Sequence, residues 1–185
     1  MTRFAYILAG GSSSRMGTDK LHLKLKGLSL LERIIETCAS VCDDIKLVGN
    51  GVGINQSETF KVLSDYPHAR GPMAGVISAL EDCPEDICFI TAADLIDITP
   101  QNLTDLFRLY RVEQFLGYSE DGLSQPLCGI YHKSALKVML PMAERGNFKM
   151  QDAVGKLDTR LLPVPNKKWR NINTPRDAEL SGVEL

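Results

Sequence analysis

Apolar positions along the chain fall into short unbroken runs and amphipathic stripes, and the two patterns alternate. Phe4–Leu8 (FAYIL) is a continuous apolar run that stops at Gly10-Gly11, and Ile87–Ala92 (ICFITA) is a second. Both have the length and composition of buried strands. Between them, Leu30, Leu31, Ile34, Ile35, Cys38 and Val41 recur at helical spacing behind Ser29 and Glu32, an S-x-x-E capping box. Ile45–Val48 reads as a strand ending at Gly49-Asn50-Gly51, and Phe60–Leu63 as a further one. Gly71-Pro72 opens a helix carrying Met73, Val76, Ile77 and Leu80, with proline in the first turn where its missing N–H costs nothing. Thr99-Pro100 opens another through Leu103, Leu106, Phe107 and Tyr110.

Phe115–Tyr118 and Leu127–Tyr131 read as strands around the turn Glu120-Asp121-Gly122. Ser134–Glu144 reads as a helix with Pro141 inside it, followed by a short helix near Gln151–Leu157, an extended stretch Arg160–Val164, and a last helix capped by Thr174-Pro175. This alternation predicts an α/β protein: one three-layer α/β/α domain over residues 1–185, Rossmann-like, with a mainly parallel central sheet. In such sheets ligands lie beyond the carboxyl ends of the strands. The Gly10 loop, Gly49-Asn50 and Asp94 all fall at expected strand ends and should converge.

Composition adds constraints rather than a function. With 185 residues, 44% apolar and 24% charged, the chain is of ordinary globular make-up. A net charge of -2 gives no general attraction to nucleic acid or an anionic membrane, so any anion must be held locally. No stretch approaches the roughly 20 apolar residues that span a bilayer. No leader is expected, since the run Phe4–Gly11 is short and ends in glycines. Five scattered cysteines without a C-x-x-C pair read as buried thiols of a cytoplasmic protein, and His22, His68 and His132 lack zinc-ligand spacing.

The chemistry concentrates in Leu8-Ala9-Gly10-Gly11-Ser12-Ser13-Ser14-Arg15-Met16-Gly17-Thr18-Asp19-Lys20. Adjacent glycines let backbone N–H groups approach a phosphate, and Arg15 and Lys20 bring two charges suited to a triphosphate. The loop is neither G-x-x-x-x-G-K-[ST] nor G-x-G-x-x-G. Taken alone, it could equally be a surface loop with two solvated charges. Asp94, leaving an apolar strand three residues before Asp97, offers oxygen ligands for Mg²⁺, or simply closes the turn before Thr99.

The pattern L-A-G-G-x-S-x-R-M-G-x-D-K resembles the signature loop of nucleotidyltransferases sharing the sugar-nucleotide pyrophosphorylase fold. Within that group it looks most like the molybdenum cofactor guanylyltransferases. Gly71-Pro72-Met73-Ala74-Gly75, Asp65 ahead of it, Gln125-Pro126-Leu127 and Asn171-Ile172-Asn173-Thr174-Pro175 resemble further segments of that family, so the likeness runs along nearly the whole chain. It departs after Asp94, where the family has a small residue and proline and this chain has Leu95-Ile96-Asp97.

The resemblance implies transfer of GMP from GTP to the terminal phosphate of molybdopterin, with Mg²⁺ on Asp94 and Arg15, Lys20 and Asp94 catalytic. It places the nucleotide among Leu8, Ala9, Gly10, Gly11, Ser12, Lys20, Asn50, Asp65, Gly71 and Asp94. Asn50 and Asp65 could instead close turns. Asn171 and Asn173 would hold the acceptor or cap the last helix. The lone Trp169 reads as a packing residue. Hand-over of product to molybdoenzyme assembly proteins would follow. A CTP-using relative with another phosphorylated acceptor, and a non-catalytic nucleotide-binding module, are the competing readings.

Overall fold

The computed structural model describes residues 1–9, 23–25, 27–49, 60–165, 169–170, 172, 177 and 183–184. Among these residues the elements run in the order β1 (Phe4–Leu8), β2 (Lys24–Leu25), β3 (Leu28–Ser29), α1 (Leu30–Ala39), β4 (Asp44–Val48), β5 (Val62–Leu63), α2 (Pro72–Asp82), β6 (Ile87–Ala92), α3 (Pro100–Leu109), β7 (Phe115–Glu120), β8 (Leu123–His132), α4 (Leu136–Glu144), α5 (Met150–Val154), β9 (Thr159–Pro163) and β10 (Val183–Glu184). Of the helix expected from Thr174-Pro175, Asp177 is described and is helical, and the rest lies outside the described residues. No helix among the described residues is long and apolar enough to cross a membrane.

Seven strands form the central sheet in the order β5-β4-β1-β6-β8-β7-β9. The pairs β4–β5, β1–β4, β1–β6 and β7–β9 are parallel, and β8 runs antiparallel to both β6 and β7. The sheet is therefore mainly parallel, with one reversed strand. Alternation along β1 explains its unbroken apolar sequence: Phe4, Tyr6 and Leu8 enter the core under α2, α4 and α5, while Ala5 and Ile7 enter the core under α1 and α3. A strand covered on both faces has no position at which a polar side chain reaches water. β6 follows the same rule, with Cys88 and Ile90 on one face and Phe89 on the other.

The helix ends are held by the residues expected to hold them. Ser29 Oγ accepts from the Glu32 N–H while Glu32 accepts from the Ser29 N–H, a reciprocal cap. Thr99 caps α3 in the same way with Asn102, and Tyr110 is the cap residue ending that helix rather than part of it. At the end of α2, Asp82 accepts from Tyr6 Oη (2.9 Å), Lys46 Nζ (2.7 Å) and Lys61 Nζ (2.8 Å), tying the helix to the sheet. Burial alone would raise the Asp82 carboxyl, but these donors overcome it and bring the pKa down to about 2.

The reversed strand is longer than its sequence suggests, beginning at Leu123 rather than Leu127. Asp121 (φ 49°) and Gly122 (φ 80°) make the two-residue turn into it, the left-handed pair that a tight hairpin requires. Pairing with β7 shifts register between Gly117 and Ser119, and Pro126 lies in that irregular stretch, where its missing N–H is tolerated.

Beyond the shift, Gly117 and Gly129 stand opposite each other under the ring of Phe115. A Cβ at Gly129 would lie 2.4 Å from that ring and 2.6 Å from the Leu116 carbonyl oxygen. A backbone carbonyl cannot rotate away. Gly129→Ala is therefore expected to destabilise the protein by about 1–3 kcal/mol, which is a melting temperature lower by roughly 2–4 °C per kcal/mol. An unchanged thermal unfolding curve would contradict this packing.

Candidate active site

Four parallel strands end side by side, and their hydrogen-bond ladder continues one step past their ends. The Ala93 N–H donates to the Leu8 carbonyl (3.0 Å), the Ala9 N–H to the Val48 carbonyl (2.8 Å), and the Gly49 N–H to the Leu63 carbonyl (2.9 Å). This ladder brings the start of the glycine loop, the approach to Asn50 and the approach to Asp94 to one edge. The chain order reverses here, with β4 on one side of β1 and β6 on the other. In open α/β sheets a crevice forms at such a reversal.

Asp65 reaches the same edge from below. Its neighbours are laid on α2 by Ser78 Oγ donating to the Ser64 carbonyl (2.9 Å) and by the Tyr66 N–H donating to the Ala74 carbonyl (3.3 Å). Gly75, in the first turns of α2, makes the approach possible. A Cβ there would stand 2.8 Å from Leu8 Cδ2 and 3.5 Å from Asp65 Oδ1. Leu8 and Asp65 thus both close on a bare stretch of helix. Half-burial raises the Asp65 carboxyl above its ordinary value. Gly71 opens α2 at φ 60° and ψ -153°, a conformation reserved for glycine.

Asp94 is half-buried one turn past β6. Its main-chain carbonyl accepts from the Ile172 N–H (3.2 Å), and the Ile96 N–H donates to the Arg170 carbonyl (3.2 Å). The Asp97 carboxylate is engaged by Arg170. Its Oδ1 accepts from Arg170 Nη2 (2.6 Å), and its Oδ2 from Arg170 Nε (2.8 Å) and the Arg170 N–H (2.9 Å). Among the described residues no group of three or more His, Cys, Asp or Glu side chains could enclose a metal.

Leu8, Ala9, Asp65 and Asp94 are thus placed on or beside one strand-end edge, and Gly71 opens α2. Gly10, Gly11, Ser12, Arg15, Lys20, Asn50, Asn171 and Asn173 lie outside the described residues. Trp169 packs edge-on against Tyr118 with ring centroids 4.7 Å apart, in the core under α1 and α3. His68 meets the Tyr66 ring edge-on, and His132 caps the 3₁₀ turn Lys133–Ala135, so both have structural partners. Three contributors carried no assignment from sequence. Gly75 stood unremarked inside G-P-M-A-G. Arg170 carries no motif. Leu23 belongs to a small apolar cluster with Leu25, Leu30 and Ile172, against which Ile96 packs.

The chain is similar to known proteins along most of its length. Residues 5–159 match the family described as the MobA-like NTP transferase domain. A protein of Natranaerobius thermophilus named "Probable molybdenum cofactor guanylyltransferase" is 31% identical, over 95% of this chain and 92% of its own length. One of the same name from Chloroflexus aggregans is 30% identical, over 94% of this chain and 90% of its own. The crystal structure of molybdopterin-guanine dinucleotide biosynthesis protein A from Archaeoglobus fulgidus superposes with a TM-score of 0.81 at 22% identity, over 96% of both chains, and shares the fold. With the match spanning most of its length and such relatives at 30% identity or more, the chain belongs to the MobA-like NTP transferase family.

Proposed function

We propose that this chain transfers GMP from GTP to the terminal phosphate of molybdopterin and releases pyrophosphate. The observation that carries the reading is the near full-length likeness to proteins named molybdenum cofactor guanylyltransferase. The convergence of Leu8, Ala9, Asp65 and Asp94 at one strand-end edge supports it.

An acceptor phosphate oxygen attacks the α-phosphorus, the bond from that phosphorus to the bridging oxygen breaks, and pyrophosphate leaves with the electron pair. A phosphate monoester has a second pKa near roughly 6, so at pH 7 the attacking group is largely a dianion and needs no general base. The two described histidines, both engaged elsewhere, fit a site that works by positioning and charge. Arg15 and Lys20 would hold the departing pyrophosphate, and loop N–H groups would orient it.

Asp94 suits Mg²⁺ better than a metal that needs several protein ligands. The half-buried Asp94 carboxylate offers a hard oxygen donor, and magnesium commonly takes its other ligands from water and substrate phosphates. Bound there, it would neutralise charge building on the α-phosphate. Five free, buried cysteines suit a reducing cytoplasm.

Guanine offers N1–H and N2–H₂ donors beside an O6 acceptor. The Leu8 carbonyl already accepts from Ala93, so a base would share it through the remaining lone pair, while the Ala9 carbonyl and Asp65 are further acceptors at the same edge. Adenine would leave such groups unpaired at about 1–3 kcal/mol each, roughly ten- to hundredfold in preference per mismatch. Pyrophosphate release is expected with GTP and molybdopterin together, and not with ATP, CTP or UTP. Equal displacement of GTP by ATP or CTP would defeat the guanine claim. GTP binding without turnover on molybdopterin would defeat the acceptor claim.

A further inference from the structure

Among the described residues, two backbone bonds tie the turn carrying Asp94 to the C-terminal segment. The Ile96 N–H to Arg170 and Ile172 N–H to Asp94 bonds make a single antiparallel bridge centred on Leu95. Two bonds in isolation fray readily and fix register weakly. Arg170 adds three more, all to one carboxylate, through its backbone N–H and both prongs of its guanidinium. A two-pronged arginine–carboxylate pair fixes orientation as well as distance. The pair lies near the surface, with the Arg170 side chain 50% and the Asp97 side chain 23% exposed. Surface pairs contribute little to global stability unless they are two-pronged and well ordered, so a stabilising role and a positioning role call for separate readouts.

The same segment is anchored from inside. Ile172, fully buried, packs with Leu23, Leu25 and Leu30, and Ile96 closes against them. Leu23 is the first described residue after the basic glycine loop, and its carbonyl accepts from the Leu30 N–H (3.0 Å). One small cluster therefore joins the end of the triphosphate loop, the Asp94 turn and the C-terminal segment.

We infer that Asp97 and Arg170 are positioning residues, a clasp that holds the C-terminal segment in register on the Asp94 turn and so sets where the acceptor meets the acid. This rests on the acceptor lying beside residues 171–173 and on Asp94 serving the reaction. The clasp does not touch substrate. It acts by fixing the separation of two parts that do.

The full chain carrying Arg170→Ala, Asp97→Ala or Arg170→Lys tests this. Amide hydrogen exchange at Ile96 and Ile172 should be at least about tenfold faster in both alanine variants, because local opening controls exchange there. The acceptor KM should rise about tenfold while GTP affinity, read by direct titration, stays within about twofold. Arg170→Lys keeps the charge without the fork and should recover only part of the loss. Unchanged exchange at these amides would overturn the clasp. So would equal losses of acceptor and GTP affinity accompanied by a lower melting temperature, which would mark a merely stabilising contact. If the unaltered protein shows no turnover on molybdopterin, the proposed activity fails, and the exchange measurement still decides the clasp.

Discussion

Asp94→Ala is expected to lower turnover at least about a hundredfold, in the range found when a preorganised charge-stabilising group is removed, while leaving the melting temperature nearly unchanged. The fold should survive because the Asp94 main-chain carbonyl, the acceptor for Ile172, is retained by alanine. The carboxylate itself is half-buried at a strand end, outside the close-packed interior. Asp97→Ala separates the two acids. It should weaken acceptor binding but keep the magnesium dependence. If Asp94→Ala kept its rate and magnesium response while Asp97→Ala lost both, the metal would belong to the other carboxylate.

Lys20→Ala should cost ten- to hundredfold in GTP affinity or rate, the equivalent of one charge-assisted hydrogen bond of about 1.5–3 kcal/mol. Arg15→Ala should act in the same sense. Both residues lie on a loop whose two ends are fixed: Ala9 is bonded to Val48 where the loop begins, and Leu23 is buried and bonded to Leu30 where it ends. Titration of GTP against each variant measures the effect. Unchanged affinity and turnover in both would remove the triphosphate from this loop.

What could be read from sequence was local. The runs FAYIL and ICFITA became β1 and β6 because a doubly covered strand leaves an unambiguous apolar run. The caps at Ser29 and Thr99 were legible because a side chain satisfying its own helix end needs only neighbours a few residues away. The edge shared by Leu8, Ala9 and Asp94 followed from strand ends.

The unread parts depend on distant partners. The small sheet β10-β2-β3 is made of two-residue strands, too short for a period to show. β8 extends ahead of the expected start at Leu127 because the irregular pairing with β7 accommodates Pro126, which depends on a partner strand. Leu95-Ile96-Asp97 stood out as a departure from the family pattern, but its meaning needed Arg170, which is far off in the chain. The clasp supplies by ion pairing a restraint that a proline in that turn would supply covalently.

The meeting of Leu23 with Ile172 also orders events during synthesis. Leu23 leaves the ribosome early, and the residue that seals its cluster comes only after most of the chain has followed. At ~5–20 residues per second the wait is on the order of ten seconds. Through that interval the nascent chain can pair β1, β4 and β6, yet Leu23, Leu25 and Leu30 remain an unsealed apolar patch until Ile172 arrives to cover it.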